Sequence, residues 1–174
     1  QEESVPGKVN RNVLSMKISS EAYYYINKWL SMGYLAELVY SSQAQFGDYI
    51  STMMGMQSFE PTPHSKTLIM EAYRAHTYLG MGIMPVLNFS SNLYLHSGIW
   101  YFRSYRQIVN DGEGKYHYSG RFPSGAITAN AALVWQLPIG PISLSCTYYQ
   151  KGDYKWYPQL NIGFLIFKKK ALEN

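Results

Sequence analysis

Polar and apolar residues alternate along most of this chain, over about seven segments, the mark of β-strands that present two different faces. In the first, Leu14, Met16, Ile18, Ala22, Tyr24 and Ile26 share one face, and Ser15, Lys17, Ser19 and Glu21 the other. The second sets Leu30, Met32, Tyr34, Ala36, Leu38 and Tyr40 against Ser31, Gly33, Glu37 and Ser41. A third is predicted from about Met70 to Phe89. There Tyr73, Ala75, Thr77, Leu79, Met81, Ile83 and Leu87 take the apolar side, and Arg74, His76, Tyr78, Gly80 and Gly82 the opposite one. A fourth runs from Leu93 to about Ile108, with Leu93, Leu95, Ile99 and Tyr101 opposite His96, Gly98 and Trp100. The last three alternate most cleanly. Ala129, Ala131, Leu133, Trp135 and Leu137 oppose Thr128, Asn130, Ala132 and Gln136; Ile142, Leu144, Cys146 and Tyr148 oppose Ser143, Ser145, Thr147 and Tyr149. Trp156, Leu160, Ile162, Phe164 and Ile166 then oppose Tyr157, Gln159, Asn161 and Gly163.

The connections alternate in length. Tight turns are predicted at 27–29, 90–92 and 138–141, and long loops at 43–66 and 110–121. Outer-membrane barrels show this asymmetry, with short periplasmic turns and longer extracellular loops. That orientation places the tight turns and the C-terminus in the periplasm. Trp29, Tyr94, Trp156 and Tyr157 are expected near the tight-turn ends, as members of an aromatic girdle.

Composition points the same way. Aromatic residues make up 16% of the 174 residues, with 17 tyrosines, while charged residues reach only 15%; soluble domains carry roughly a quarter. Tyrosine and tryptophan suit surroundings that are apolar at one end and wet at the other, which a membrane interface supplies. A soluble antiparallel sandwich is the alternative for alternating strands, but its polar face would be rich in Lys, Glu and Thr. Here that face is Ser, Gly, Tyr, Asn and Gln. No run approaches the ~18 to 20 apolar residues of a membrane helix, whereas a barrel strand buries only every second residue in lipid. The net charge of +4 is scattered apart from Lys168, Lys169 and Lys170, and no basic stretch interleaved with aromatics suggests nucleic acid. A single cysteine, Cys146, leaves no internal disulfide and no multi-cysteine metal site. The polar stretch from Gln1 carries no signal-peptide pattern, and a processed or truncated product is expected. Residues 1–12 read as a polar lead-in, 13–167 as a barrel segment and 168–174 as a polar tail.

The strand Trp135-Gln-Leu, the turn Pro138-Ile-Gly140-Pro141 and the returning strand to Ser145 resemble the end of the bacterial surface antigen barrel, shared by outer-membrane assembly factors and two-partner secretion transporters. Gln159-Leu-Asn161-Ile-Gly163, with Phe167 beyond it, resembles the closing strand that the barrel-assembly machinery reads as a signal. Leu95-His96-Ser-Gly98 stands where the family has a hydrophobic-x-Asp-x-Gly strand. The matches cover roughly Leu93 to Phe167. They imply an all-β, antiparallel transmembrane barrel of about sixteen strands, of which this chain holds the last seven or so, its partners being the upstream strands, outer-membrane lipids and the assembly machinery. The ending is most similar to Bacteroidetes proteins in which a patatin-like phospholipase domain precedes such a barrel. Two departures matter. The loop that carries an Arg-Gly-aromatic motif in assembly and secretion members offers only Gln45-Phe-Gly-Asp-Tyr49, and His96 replaces the aspartate that would pair with that arginine. Loss of both partners argues against an assembly or secretion role.

The chain holds no G-x-S-x-G, the strained turn that lifts a hydrolase serine clear of its sheet. A barrel-embedded lipid enzyme would need a histidine beside a serine and a carboxylate or amide, reachable from lipid, but parity sends His76 and His96 to the lumen and leaves His64 and His117 in loops. The histidines also lack the spacing and partners of a metal site. Gly80-Met-Gly82 sits inside a strand, where glycine relieves curvature or admits a neighbouring side chain. Arg74, Glu37, Glu21 and Lys17 are candidates to line a pore, or simply to pair within the lumen. No cofactor is expected. The reading that results is a non-enzymatic outer-membrane barrel segment, an anchor or passage for a larger protein. The alternatives are a lipid-modifying barrel enzyme and a small eight-stranded adhesive or structural barrel.

Overall fold

The computed structural model describes residues 12–43, 46, 48–62, 65, 68–110, 116–152 and 154–163. In chain order its elements are β1 (Ser15–Asn27), β2 (Leu30–Ser41), α1 (Tyr49–Gly55), β3 (Gln57–Ser58), β4 (Arg74–Ala75), β5 (Thr77–Asn88), β6 (Leu93–Ser104), β7 (Ile108–Asn110), β8 (Tyr116–Tyr118), β9 (Ala126–Leu137), β10 (Gly140–Tyr149) and β11 (Trp156–Ile162). Seven strands form one antiparallel sheet in the order β1-β2-β5-β6-β9-β10-β11, leaving β1 and β11 at its edges. The short pairs β3–β4 and β7–β8 stand apart from it.

Local chemistry makes the tight turns. The Asn27 side-chain oxygen accepts from the Trp29 and Leu30 amides at 2.9 and 3.0 Å, an Asx turn that reverses the chain over Lys28 and Trp29. Between Leu137 and Gly140, which are paired, only Pro138 and Ile139 intervene. Gly140 has φ 141°, a conformation costly for any residue with a Cβ. Gly163 donates its amide to the Pro141 carbonyl at 2.8 Å, and a Cβ on Gly163 would come 3.1 Å from the Pro141 ring. The turn motif and the closing-strand glycine are thus in contact. Phe167 lies outside the described residues.

The register sorts side chains into two faces, as alternation demands. On one, Leu30, Leu87, Leu95, Leu133, Leu144 and Leu160 are successive cross-strand partners, a single row of leucines across six strands. This face is bare. The opposite face is covered by the connection between β2 and β5. Phe59, Tyr73 and Ala75 of that connection pack against Val39, Tyr78, Met84, Trp100, Phe102, Ala126 and Tyr149 of the sheet in one core. Phe59 lies where a Cβ on Gly80 would be, and the Trp100 indole lies across Gly82 and Gly98. All three glycines admit neighbouring rings, for Gly80 and Gly82 one of the two roles expected of them.

Four expectations are corrected. The predicted long loop at 43–66 contains α1 and β3. The third strand begins at Thr77, not Met70; residues Glu71–Tyr73 form a 3-10 turn, and Tyr73 and Ala75, assigned to the apolar outer side, are buried at 2% and 0% exposure in the core. Apolar residues satisfy a lipid-facing and a core-facing position equally, so parity could not separate the two. The fourth strand ends at Ser104, and Ile108–Asn110 instead pairs with Tyr116–Tyr118. Finally, Trp156 and Tyr157 pair with Tyr148 and Thr147, at the long-loop end of the sheet rather than the tight-turn end.

Around α1 the packing is a small second cluster of Tyr49, Met53, Met56 and Ile108. Asp48 caps the helix by accepting from the Ser51 amide at 2.9 Å, a bond that lowers its carboxyl pKa. Tyr49 donates to Glu71 Oε2 at 2.6 Å, and burial together with that carboxylate pushes its phenol up to about 12. The folded chain therefore keeps a proton that the unfolded chain releases from about pH 10, and stability falls as pH rises between those values. Tyr49→Phe is expected to remove its share of that slope, measured as denaturation midpoints from pH 9 to 12. An unchanged slope would separate Tyr49 from the alkaline loss.

Candidate functional site

The covered face carries the polar chemistry, and its pieces are spread along the strands. Near the long-loop end, Glu37 is buried at 7% exposure. Its carboxylate meets the Lys17 ammonium at 2.9 Å and accepts from the Tyr78 hydroxyl, which also lies 3.0 Å from the Ser58 carbonyl. An unpaired buried carboxylate would be costly; here one side chain from each of β1 and β5 satisfies it, and Tyr78 ties the connection to the sheet through Ser58.

His96 lies three cross-strand rows nearer the tight turns, in the row Val86, His96, Ala132, Ser145 and Gln159. Its Nε2 is 3.4 Å from the Tyr23 hydroxyl. Arg74 and His76, grouped with Glu37 and His96 by the sequence, belong to the connection instead. Arg74 donates from Nη1 to the Met56 carbonyl at 3.4 Å. Both His76 nitrogens are buried without a hydrogen-bond partner, and burial pushes its imidazole pKa down. The four residues therefore do not form one constellation. His64 lies outside the described residues, and His117 falls in β8. Among the described residues no group of His, Cys, Asp or Glu is arranged to hold a metal ion.

What the register does bring together is a cavity of about 230 Å³ on the covered face, between the connection and the tight turns. Small side chains on β9 and β10 (Ala132, Ser143, Ser145) form its floor, Gln159 and Asn161 of β11 one wall, and Tyr94, His96 and Trp100 of β6 the other. Pro61 and Thr62 of the connection close the end next to Trp100. Asn130 donates to Thr147 Oγ1 at 2.7 Å, and Asn161 to Ser143 Oγ at 3.4 Å. No Asp, Glu, Lys or Arg lines it. Gln159 and Asn161, singled out in the sequence as part of a closing-strand signal, are here cavity residues. Asn130, Ser143, Ser145 and Trp100 were not singled out. Their shared parity was readable, but which residues stand side by side depends on strand register.

Comparison with family models, with curated proteins and with solved structures finds no match for this chain.

Proposed function

We propose that this chain is a segment of an outer-membrane β-barrel that anchors a larger protein or forms a passage for it, with the bare face toward lipid and the covered face toward the lumen. The observation that carries the reading is the six-leucine row on a bare face, where Leu144 and Leu160 are 60% and 62% exposed. Exposed apolar surface of this extent marks an interaction site rather than a solvated surface. Exposed Trp29, Phe89 and Trp135 border the row at the tight-turn end, and exposed Tyr40 and Trp156 lie toward the other, as two girdles would.

Length agrees. β2, β5, β6 and β9 have 12 residues each, about 40 Å at ~3.4 Å per residue. Tilted by ~45°, they cover about 29 Å, the thickness of a hydrocarbon core. In a seven-stranded antiparallel sheet β1 and β11 run in the same direction, so antiparallel closure needs an odd number of further strands. About nine would complete a barrel of about sixteen. The resemblance suggests a patatin-like phospholipase domain as the larger protein's other part. The segment itself we read as non-enzymatic, because His96 contacts Tyr23 rather than a serine.

Quenching by bromine-bearing phospholipids tests the lipid-facing assignment. In reconstituted bilayers Trp29, Trp135 and Trp156 are expected to lose emission to brominated acyl chains, while a variant keeping only Trp100 does not. Equal quenching of Trp100, or none of the other three, overturns the assignment. Release of fatty acid from mixed micelles by the purified chain would overturn the non-enzymatic part.

A further inference from the structure

We propose that the cavity on the covered face binds a neutral saccharide, on the scale of one sugar ring. This deepens the passage reading by naming a solute class, and it rests on that reading only in placing the cavity on the lumen side.

Size comes first. A cavity of about 230 Å³ suits a ligand on the scale of one sugar ring, just under the usual range of small-molecule pockets. Charge comes next. With no Asp, Glu, Lys or Arg in the lining, an ionic ligand would be desolvated without a counter-charge, at a cost of several kcal/mol. A wholly apolar ligand fails for the opposite reason, because it would strip water from amides and hydroxyls without replacing the lost hydrogen bonds. The amide groups of Asn130, Gln159 and Asn161 both donate and accept, as sugar hydroxyls do. A sugar ring also offers C–H faces to aromatic surfaces such as Trp100 and Tyr94. Pockets that recognise small molecules commonly combine an apolar lining with a few placed polar groups.

Unused hydrogen-bonding capacity supports this choice. The side chains of Gln159 and Tyr94 have no hydrogen-bond partner among the described residues. By contrast, the buried acidic group on the same face, Glu37, is already satisfied by Lys17 and Tyr78, and neither it nor Glu21 lines the cavity. The free capacity is uncharged, and it is collected where the floor side chains are smallest.

Trp29→Phe, Trp135→Phe and Trp156→Phe together leave Trp100 as the only tryptophan. The full chain carrying them, in bilayers without sugar-headed detergent, is titrated with methyl glycosides of glucose, galactose, mannose and N-acetylglucosamine, and with glucuronate and glucosamine as charged counterparts. A saturable change in Trp100 emission is expected for at least one neutral glycoside, with the charged counterparts at least tenfold weaker. Ser145→Phe, which fills the floor, should abolish the response. Gln159→Leu should weaken it about tenfold, and Ser145→Thr should retain it. Near-UV circular dichroism identifies the folded variants. A folded chain with no saturable response to any neutral glycoside overturns the proposal, as does an unchanged response in folded Ser145→Phe or tighter binding of a charged sugar. Bromolipid quenching on the same samples separates the two readings: insertion without binding removes the saccharide site alone, and binding without insertion removes the barrel alone.

Discussion

Leu144→Arg is expected to lower the equilibrium constant for the folded, membrane-inserted state by roughly 30- to 700-fold, the equivalent of about 2 to 4 kcal/mol for an arginine near the bilayer midplane of a barrel. Leu144 stands in the leucine row, midway along β10, with Leu133 and Leu160 as its cross-strand neighbours. In lipid the guanidinium there would have neither counter-ion nor water. Ser145, one residue on, faces the other way, toward the lumen, where the long arginine stem can carry its guanidinium out of the cavity into water rather than leave it in lipid. Ser145→Arg is therefore expected to cost less than a tenth as much insertion. The measurement is denaturant-induced unfolding from lipid vesicles, read by the shift of the folded band on a gel run without heating. Equal loss for both substitutions would mean that the two faces do not have different surroundings, and the lipid assignment would fall.

Phe59→Ala is the second large effect. Phe59 is 2% exposed; its ring stacks on Phe102 at 5.8 Å, meets Tyr78 edge-on at 6.0 Å, and occupies the space that the missing Cβ of Gly80 leaves. Truncating such a ring costs about 3 to 5 kcal/mol. The loss falls on the attachment of the connection, since the seven-stranded ladder continues without Phe59. Cleavage within residues 48–76 should accelerate at least ~100-fold, because proteolysis follows the open population when reclosing is fast. Far-UV circular dichroism should still report the sheet. Gly80→Val, which puts atoms where the Phe59 ring sits, should act in the same direction. Unchanged protection of the connection in both variants would show that it is held by something other than this core.

The reach of the sequence differs between elements for a reason visible in two of them. β10 was legible almost residue by residue, because its alternation is unbroken from Ile142 to Tyr149 and a Pro-x-Gly-Pro turn marks its start. The segment from Met70 to His76 was not, although its alternation looks the same. There the chain turns through Glu71–Tyr73 before the strand begins, and nothing in a two-residue period distinguishes Tyr73 against a core from Tyr73 against lipid. The site shows the same division. That Glu37, His96, Gln159 and Asn161 share the face opposite the leucines could be read from parity. That His96, Gln159 and Asn161 line one cavity while Glu37 sits in a separate ion pair could not.

Sequence alone determined the seven strands of the main sheet apart from the start of the third and the end of the fourth, their two faces, and the tight turns made by Asn27 and by Pro138 with Gly140, because each depends on neighbours a few residues apart. Only the tertiary structure decided that the described residues of the connection, Phe59, Tyr73 and Ala75 among them, fold back over one face, which rings lie on Gly80, Gly82 and Gly98, and which side chains of β6, β9, β10 and β11 enclose a common cavity. Those outcomes depend on inter-strand register and on burying aromatic surface drawn from distant parts of the chain. No local period encodes either.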